Sequence, residues 1–220
     1  GEKYLGQLTE AREFETAAAL CPRLLKQQAG LWEKWVAVFC KIAQHAVIAP
    51  YIPVRNPQLS PDTYTQMLLH FLEADEEMFL KLLQDWPAAV YSVPELIKAV
   101  KLKLRGEHSQ GTEEGLARLL VLGGDSEAAL ELYLKLNRKD AAFSLIDKFQ
   151  LFPAVKDRVL DLLRFDHPRA LKLFVNNTDK ITPAHVVPQL AEERGLQHEY
   201  LAALFDKDPR AAPHHHEMQV

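Results

Sequence analysis

The chain has 220 residues, 48% of them hydrophobic and 25% charged, with a formal net charge of −4. These are the proportions of an ordinary globular chain long enough to bury a sizeable core. The mild acidity gives no reason to expect nucleic acid or an anionic membrane as a bulk partner, and no apolar run approaches the roughly 20 residues a membrane helix needs.

Residues 2–29 read as a helical pair. Tyr4, Leu5 and Leu8 line one side, with Phe14, Ala18, Leu20, Cys21, Leu24 and Leu25 on the other, and Gly30 breaks the pattern. Leu31, Trp32, Trp35, Val36, Phe39, Cys40 and Ile42 recur at three- and four-residue steps, which predicts a strongly buried helix. The first helical pairs are therefore placed in residues 1–48 and a Pro-rich connector in 49–59. Prolines at 50, 53 and 57 exclude a continuous helix there. Helices are expected over 60–105. Ser60-Pro61-Asp62 opens the first, Asp75-Glu76-Glu77 the second, and Ser92-Val-Pro-Glu95 has the spacing of a capping box. A polar, glycine-containing loop is expected at 106–111.

Helical repeats are expected over 112–206 and a polar, frayed tail over 207–220. Asn137 to Asp140 is expected to cap a helix Ala141–Phe149, with a continuous helix Phe152–Phe165 after it. Thr182-Pro183 should cap another running to about Arg194, which Gly195 would separate from Leu196–Phe205. Within this region one phrase occurs twice. Asp125-Ser-Glu-Ala-Ala-Leu-Glu-Leu-Tyr133 and Asp166-His-Pro-Arg-Ala-Leu-Lys-Leu-Phe174 both place an Asp, three residues, Ala-Leu, one residue and Leu-aromatic. Each phrase predicts an aspartate-capped helix closing a hairpin, with Ala129, Leu130 and Tyr133 (and Ala170, Leu171 and Phe174) at the seam. A weaker third cadence occurs at Glu15-Thr-Ala-Ala-Ala-Leu20. No segment alternates with a period of two. The expected fold is all-α, a right-handed α-solenoid of roughly six helical hairpins intermediate between tetratricopeptide and clathrin-heavy-chain repeats, filling 1–206.

Little in the chain points to reaction chemistry. His214-His215-His216-Glu217 is the one local cluster of metal-ligand types, but consecutive residues point different ways and no second ligand pair accompanies it. Cys21 and Cys40 lie in apolar helical runs without CxxC partners, so reduced thiols are expected rather than a disulfide framework. Gly123-Gly124 lacks the further glycines and the preceding strand of a phosphate loop. The acidic pairs fall at helix starts, where the helix dipole accounts for them, and no serine has a nucleophile-elbow context. His70 reads as a packed or half-exposed histidine. No catalytic, cofactor-binding or metal-binding residues are assigned, and no enzyme activity is expected. The candidate interaction face is Lys98, Lys101 and Arg105, with Lys103 nearby. Those three positions share one side of a helix, and either a solvated outer face or an acidic partner or lipid headgroups would explain them.

Other stretches carry a resemblance. Leu31-Trp-Glu-Lys-Trp-Val36, Pro50-Tyr-Ile-Pro53 with Asn56-Pro57, Phe71-Leu-Glu-Ala-Asp75, Trp86-Pro87, Leu145-Ile-Asp-Lys148 and Gln197-His198 with Tyr200-Leu201 occur in an order and spacing similar to the central helical region of the vacuolar protein sorting forty-one family. Residues 88–115 fit that pattern least well. The resemblance implies a fragment of a longer protein with an N-terminal β-propeller, this helical region, clathrin-type repeats and a C-terminal RING-like zinc domain. It further implies a scaffold role in the HOPS tethering complex, in vesicle transport and fusion at late endosomes, lysosomes or vacuoles. The expected partners are other HOPS subunits, with Rab GTPase and adaptor contacts carried by the full-length protein. Membrane association would be peripheral and indirect from the cytoplasm, without nucleic acid, small-molecule substrate or cofactor. The alternatives are a tetratricopeptide-type peptide-binding adaptor, and direct membrane binding through the basic face.

Overall fold

The computed structural model describes residues 1–207, and among them it is all-α, with no strand. Fifteen helices follow in chain order: α1 (Glu2–Glu10), α2 (Phe14–Leu25), α3 (Ala29–Lys41), α4 (His45–Ile48), α5 (Pro61–Ala74), α6 (Glu76–Asp85), α7 (Val93–Lys103), α8 (Gln110–Leu122), α9 (Ser126–Lys135), α10 (Lys139–Phe149), α11 (Phe152–Val155), α12 (Val159–Phe165), α13 (His167–Asn176), α14 (Pro183–Gln189) and α15 (Arg194–Lys207). They form two compact units, Gly1–Gly124 and the chain from Asp125 onward.

In the first unit α1 packs on α2, α3 on α4, α5 on α6 and α7 on α8. Successive hairpins then stack, α2 on α4, α5 on α7 and α6 on α8. In the second unit α9 packs on α10 and α12 on α13, while α14 lies on α12 and α15 on α13. Helical hairpins stacked on their second neighbours are the tetratricopeptide-like solenoid plan. The apolar stripes meet along these seams. Trp32, Phe39, Tyr64, Phe71 and Phe79 are fully buried in the first unit, and Ala170, Phe174 and Tyr200 in the second.

The hairpin turns explain where the helices stop. Arg12, Ala43 and Asn137 adopt left-handed backbone with φ of 56 to 60°. The next residue's N–H then returns to a carbonyl in the last turn, Glu13 to Leu8 at 2.9 Å, Gln44 to Phe39 at 2.8 Å and Arg138 to Tyr133 at 2.9 Å. Asn137 thus ends α9 rather than capping α10, whose N-cap is Arg138 without a side-chain bond. Helix starts are set by aspartate where the sequence predicted it. Asp75, Asp125 and Asp166 accept from Met78, Ala128 and Arg169 N–H at 3.0, 3.2 and 3.3 Å.

Several expected boundaries are corrected. Gly30 lies inside α3 rather than before it. Phe152–Phe165 is two helices, α11 and α12, with the break at Lys156–Arg158. α14 ends at Gln189, just beyond Pro188, which has no N–H to continue the ladder, and Gly195 lies within α15. Gln110 and Gly111 belong to α8. Ser92 makes no side-chain cap, and its own N–H donates to Thr65 Oγ1 at 3.0 Å rather than to Glu95.

The repeat register also differs from the recurring phrase. Asp125 opens α9, the first helix of its hairpin, whereas Asp166 opens α13, the second of its own. The two phrases therefore sit in non-equivalent places, and the buried leucines move accordingly. Leu130 is buried and Leu132 half-buried in α9, while Leu171 is half-buried and Leu173 buried in α13.

The structural period is shorter and is marked by polar side chains reaching across hairpins. Glu33 of α3 accepts the Ser60 N–H that opens α5, at 2.7 Å and 27 residues away. Thr65 of α5 serves Ser92 ahead of α7, also 27 residues away. Glu76 of α6 accepts from the Ser109 hydroxyl and from Thr112 N–H and Oγ1 at 3.0 and 2.7 Å, so it caps α8 from 36 residues away. In the second unit Gln189 of α14 accepts Val159 N–H at 3.1 Å and donates to Lys156 O at 2.7 Å, closing the break before α12. C-termini are treated alike. Lys103 of α7 donates to Leu72 O near the end of α5, and Lys207 of α15 to Val175 O of α13 at 3.0 Å.

The Pro-rich connector is held by one phenol. Tyr64 OH donates to Pro53 O at 2.5 Å and accepts Leu59 N–H at 3.0 Å, with the Asn56–Pro57 bond cis between them. The Tyr64 ring meets Trp86 edge-on at 5.3 Å.

Gly111 has no room for a side chain, since a Cβ there would lie 2.0 Å from Glu76 Oε1. Gly111→Ala should therefore cost about 1–3 kcal/mol by displacing a carboxylate that satisfies buried donors. Glu76→Ala should cost a similar amount, and the double variant less than the sum, because both changes break one cap. Urea unfolding of the four proteins checks this, and strict additivity would contradict it.

Candidate interaction surfaces

The sequence-predicted basic residues fall into two groups. Lys98 and Lys101 are exposed on α7, and Arg105 is exposed just beyond its C-terminus. None of the three has an ion pair among the described residues. Leu102, between them in sequence, is 65% exposed. Lys103 is turned inward, with its ammonium on the Leu72 carbonyl and 3.6 Å from Glu73 Oε2. It belongs to the stacking of α7 on α5 rather than to the exposed face.

A second surface was not visible in the sequence. Between α3, the start of α4 and α5 lies an open groove of about 510 Å³. Its floor is Val36, Cys40, Met67 and Leu69, with Ala37 at the edge, and Glu33, Asp62 and Gln66 line the part near the start of α5. At the other part, the imidazoles of His45 and His70 stack with centroids 3.5 Å apart and planes 10° apart. Burial, together with the charge of His70, holds the His45 pKa below its ordinary value. His45 opens a four-residue helix after the cis-proline-free turn at Ala43, and the Pro-rich connector separates it from α5. Only the tertiary stack brings it to His70. Glu33, Val36, Ala37 and Cys40 lie on the side of α3 that faces the groove, and no spacing within α3 alone marks them as a site.

Smaller grooves of the second unit, of about 330 and 300 Å³, are crossed by ion pairs. Arg169 bridges Asp140 at 2.5 Å between α13 and α10, and Arg158 bridges Glu131 at 2.5 Å between α12 and α9. The pairs are exposed and lend little stability individually, but they mark the same cross-hairpin spacing as the caps.

The other residues weighed in the sequence have structural places. Cys21 is buried, its thiol donating to Ala17 O at 3.3 Å, and burial pushes its pKa up to about 11, which leaves it unreactive near neutral pH. Glu76, grouped in the sequence with dipole-complementing acids, is instead the cap of α8. Burial opposes its charge, but the bonds from Ser109 and Thr112 outweigh that and hold its carboxyl below the usual range. His214–His216 lie outside the described residues. Among the described residues no three His, Cys, Asp or Glu side chains are grouped to hold a metal, and no helix is long and apolar enough to cross a membrane.

These surfaces belong to a chain that the family description "Vps41 TPR-like region" matches over residues 1–220. The chain is a member of that family. It is 37% identical over 221 residues to the vacuolar protein sorting-associated protein 41 homolog of Mus musculus, covering 100% of this chain and 26% of the relative. The Solanum lycopersicum homolog is 35% identical over 230 residues, 100% of this chain and 24% of the relative. Vacuolar protein sorting-associated protein 41 of Schizosaccharomyces pombe is 28% identical over 208 residues, 90% and 24%. The Vps41-family chain described here thus spans about a quarter of the length of these relatives. No solved structure matches it.

The imidazole pair predicts an acid response. Because the His45 pKa is lowered in the folded chain, the unfolded chain takes up the proton first. Its contribution is present above the unfolded value of about 6.5 and is lost as pH falls below it. Thermal unfolding at pH 7.5 and pH 5.5 should show a larger loss of Tm for the wild type than for His45→Gln. Equal losses would contradict the assignment. A separate loss below about pH 4.5, reduced in Glu76→Gln, should follow from the lowered Glu76 carboxyl.

Proposed function

We propose that this chain is a scaffold segment of a subunit of a HOPS-type tethering complex, acting in vesicle transport and fusion at late endosomes, lysosomes or vacuoles. The observation that carries the reading is membership of the Vps41 TPR-like region family along all 220 residues. The names of the relatives, vacuolar protein sorting-associated proteins, support it. The stacked hairpins suit the role physically. Within each unit hairpins pack on their neighbours, and at several of these contacts a side chain of one caps a helix end of the other, which opposes sliding there. Such a segment serves by keeping other parts of its protein apart and by offering faces to other subunits. Rab GTPase and adaptor contacts are assigned to the rest of the full-length protein, and membrane association is peripheral and indirect, from the cytoplasmic side.

A second reading is favoured by one observation. Lys98, Lys101 and Arg105 are exposed, with no ion pair among the described residues, beside an exposed Leu102. An acidic docking partner or an anionic lipid surface would satisfy both the charges and the leucine.

The test is retention of the purified 220-residue chain by the other subunits of the complex, each immobilised in turn. The scaffold reading predicts retention by at least one subunit, and a folded chain that none retains would contradict it. If the basic face does the docking, Lys98→Glu/Lys101→Glu/Arg105→Glu should weaken retention about tenfold or more while leaving the melt unchanged. Co-sedimentation with phosphatidylserine vesicles that survives the triple change would remove the lipid version.

A further inference from the structure

The groove between α3 and α5 has the chemistry of a binding site for a short peptide, and its two ends differ. Near the start of α5 the charged groups are the carboxylates of Glu33 and Asp62. One oxygen of Glu33 is committed to the Ser60 N–H, which leaves the other oxygen available, and Asp62 is exposed with a single long bond, 3.4 Å, from the Gln66 amide. No lysine or arginine is among the groove's lining residues, and the imidazoles of His45 and His70 lie at the other end. This end therefore calls for a positive group. Further along, the apolar floor is Val36 and Met67, themselves almost wholly buried, and the half-buried Cys40 and Leu69 with the exposed Ala37 supply the apolar surface still open. That floor calls for a large apolar side chain. A cavity of this size lies within the range that takes a ligand or a few side chains, too small to seat the several turns a docked helix would bring.

The spacing along α5 sets the register of the occupant. Asp62 and Met67 are five residues apart, about 7.5 Å along the axis of an α-helix and about 140° around it, with Gln66 between them in angle as well as in sequence. An extended chain advances about 3.4 Å per residue and returns to the same face every second residue. We propose that the groove takes an extended segment of another protein carrying a lysine or arginine followed two residues later by a large apolar side chain. The basic group meets Glu33 and Asp62, and the apolar side chain lies on Val36 and Met67. Gln66, between those positions on the same helix, offers a carboxamide that can both donate to and accept from the segment's backbone. The stacked imidazoles of His45 and His70 close the far end as a flat wall. The inference concerns this chain alone and does not rest on the tethering reading.

The experiment is a fluorescence-anisotropy titration of the 220-residue chain into a labelled peptide containing Arg-Ala-Leu, with Glu-Ala-Leu and Arg-Ala-Ser peptides as controls. Saturable binding below about 1 mM is expected for the first peptide only. Asp62→Lys should weaken it about tenfold. Ala37→Trp, at an exposed rim position, should fill the groove and abolish binding without lowering Tm. Should Asp62→Lys fail to fold, Ala37→Trp decides alone. Absence of saturable binding to the wild type would overturn the proposal, as would binding that ignores Ala37→Trp. Concentration-dependent self-association, measured by sedimentation and lost in Ala37→Trp, would assign the groove to a second copy of the chain and equally overturn it.

Discussion

Every α-helix ends with four N–H groups at its start and four carbonyls at its finish that have no partner within the helix. A chain made of short helices has a great many such groups, and burying them unsatisfied costs more than the packing between two small hairpins readily returns. The solution used here is to satisfy them from the next hairpin. Glu33, Thr65, Glu76 and Gln189 accept from the N–H groups at or before the starts of α5, α7, α8 and α12, and Lys103 and Lys207 donate to carbonyls at the ends of α5 and α13. The helices could pack without these bonds, but they could also slide. With them, the hairpins so joined within each unit are held in register on one another.

Much of the fold was legible in the sequence, and the failures share a cause. The aspartate caps at Asp75, Asp125 and Asp166, the buried face of α3 with Trp32 and Trp35, and the all-α class follow from residues within a turn or two of one another. Local signals of that kind survive into the structure. What failed was anything decided at a distance of one hairpin. Ser92 looked like half of a capping box because Glu95 is close in sequence, yet its N–H goes to Thr65. Glu76 looked like a dipole-complementing acid, yet its carboxylate is spent on Ser109 and Thr112. The recurrence of Asp125–Tyr133 at Asp166–Phe174 was real as a helix-start signal and misleading as a repeat, because the first helix of one hairpin and the second helix of another need the same cap. The cross-hairpin bonds, 27 to 36 residues apart, mark the true period.

The surfaces follow from the same economy of polar groups. Side chains that might have formed a uniform charged coat are drawn into caps and ion pairs between hairpins. Many exposed cations remain unpaired among the described residues, and Lys98, Lys101 and Arg105 differ from the rest in sharing one side of α7 and its C-terminus beside the exposed Leu102, while Glu33 and Asp62 share the α3–α5 groove. Of these, the basic face was legible from helical spacing alone. The groove was not, since His45 and His70 meet only after the Pro-rich connector has been folded back by Tyr64.

The most direct test of this account is amide hydrogen exchange at the groups capped across hairpins. Ser60, Thr112 and Val159 N–H should be protected in the wild-type chain although they lie at or before the first turns of their helices, where amides ordinarily exchange freely. Glu76→Ala should release Thr112, and Gln189→Ala should release Val159, each leaving the other protected. Rapid exchange at all three in the wild type, or protection indifferent to the loss of either capping side chain, would contradict the claim that the hairpins are fixed by one another's caps.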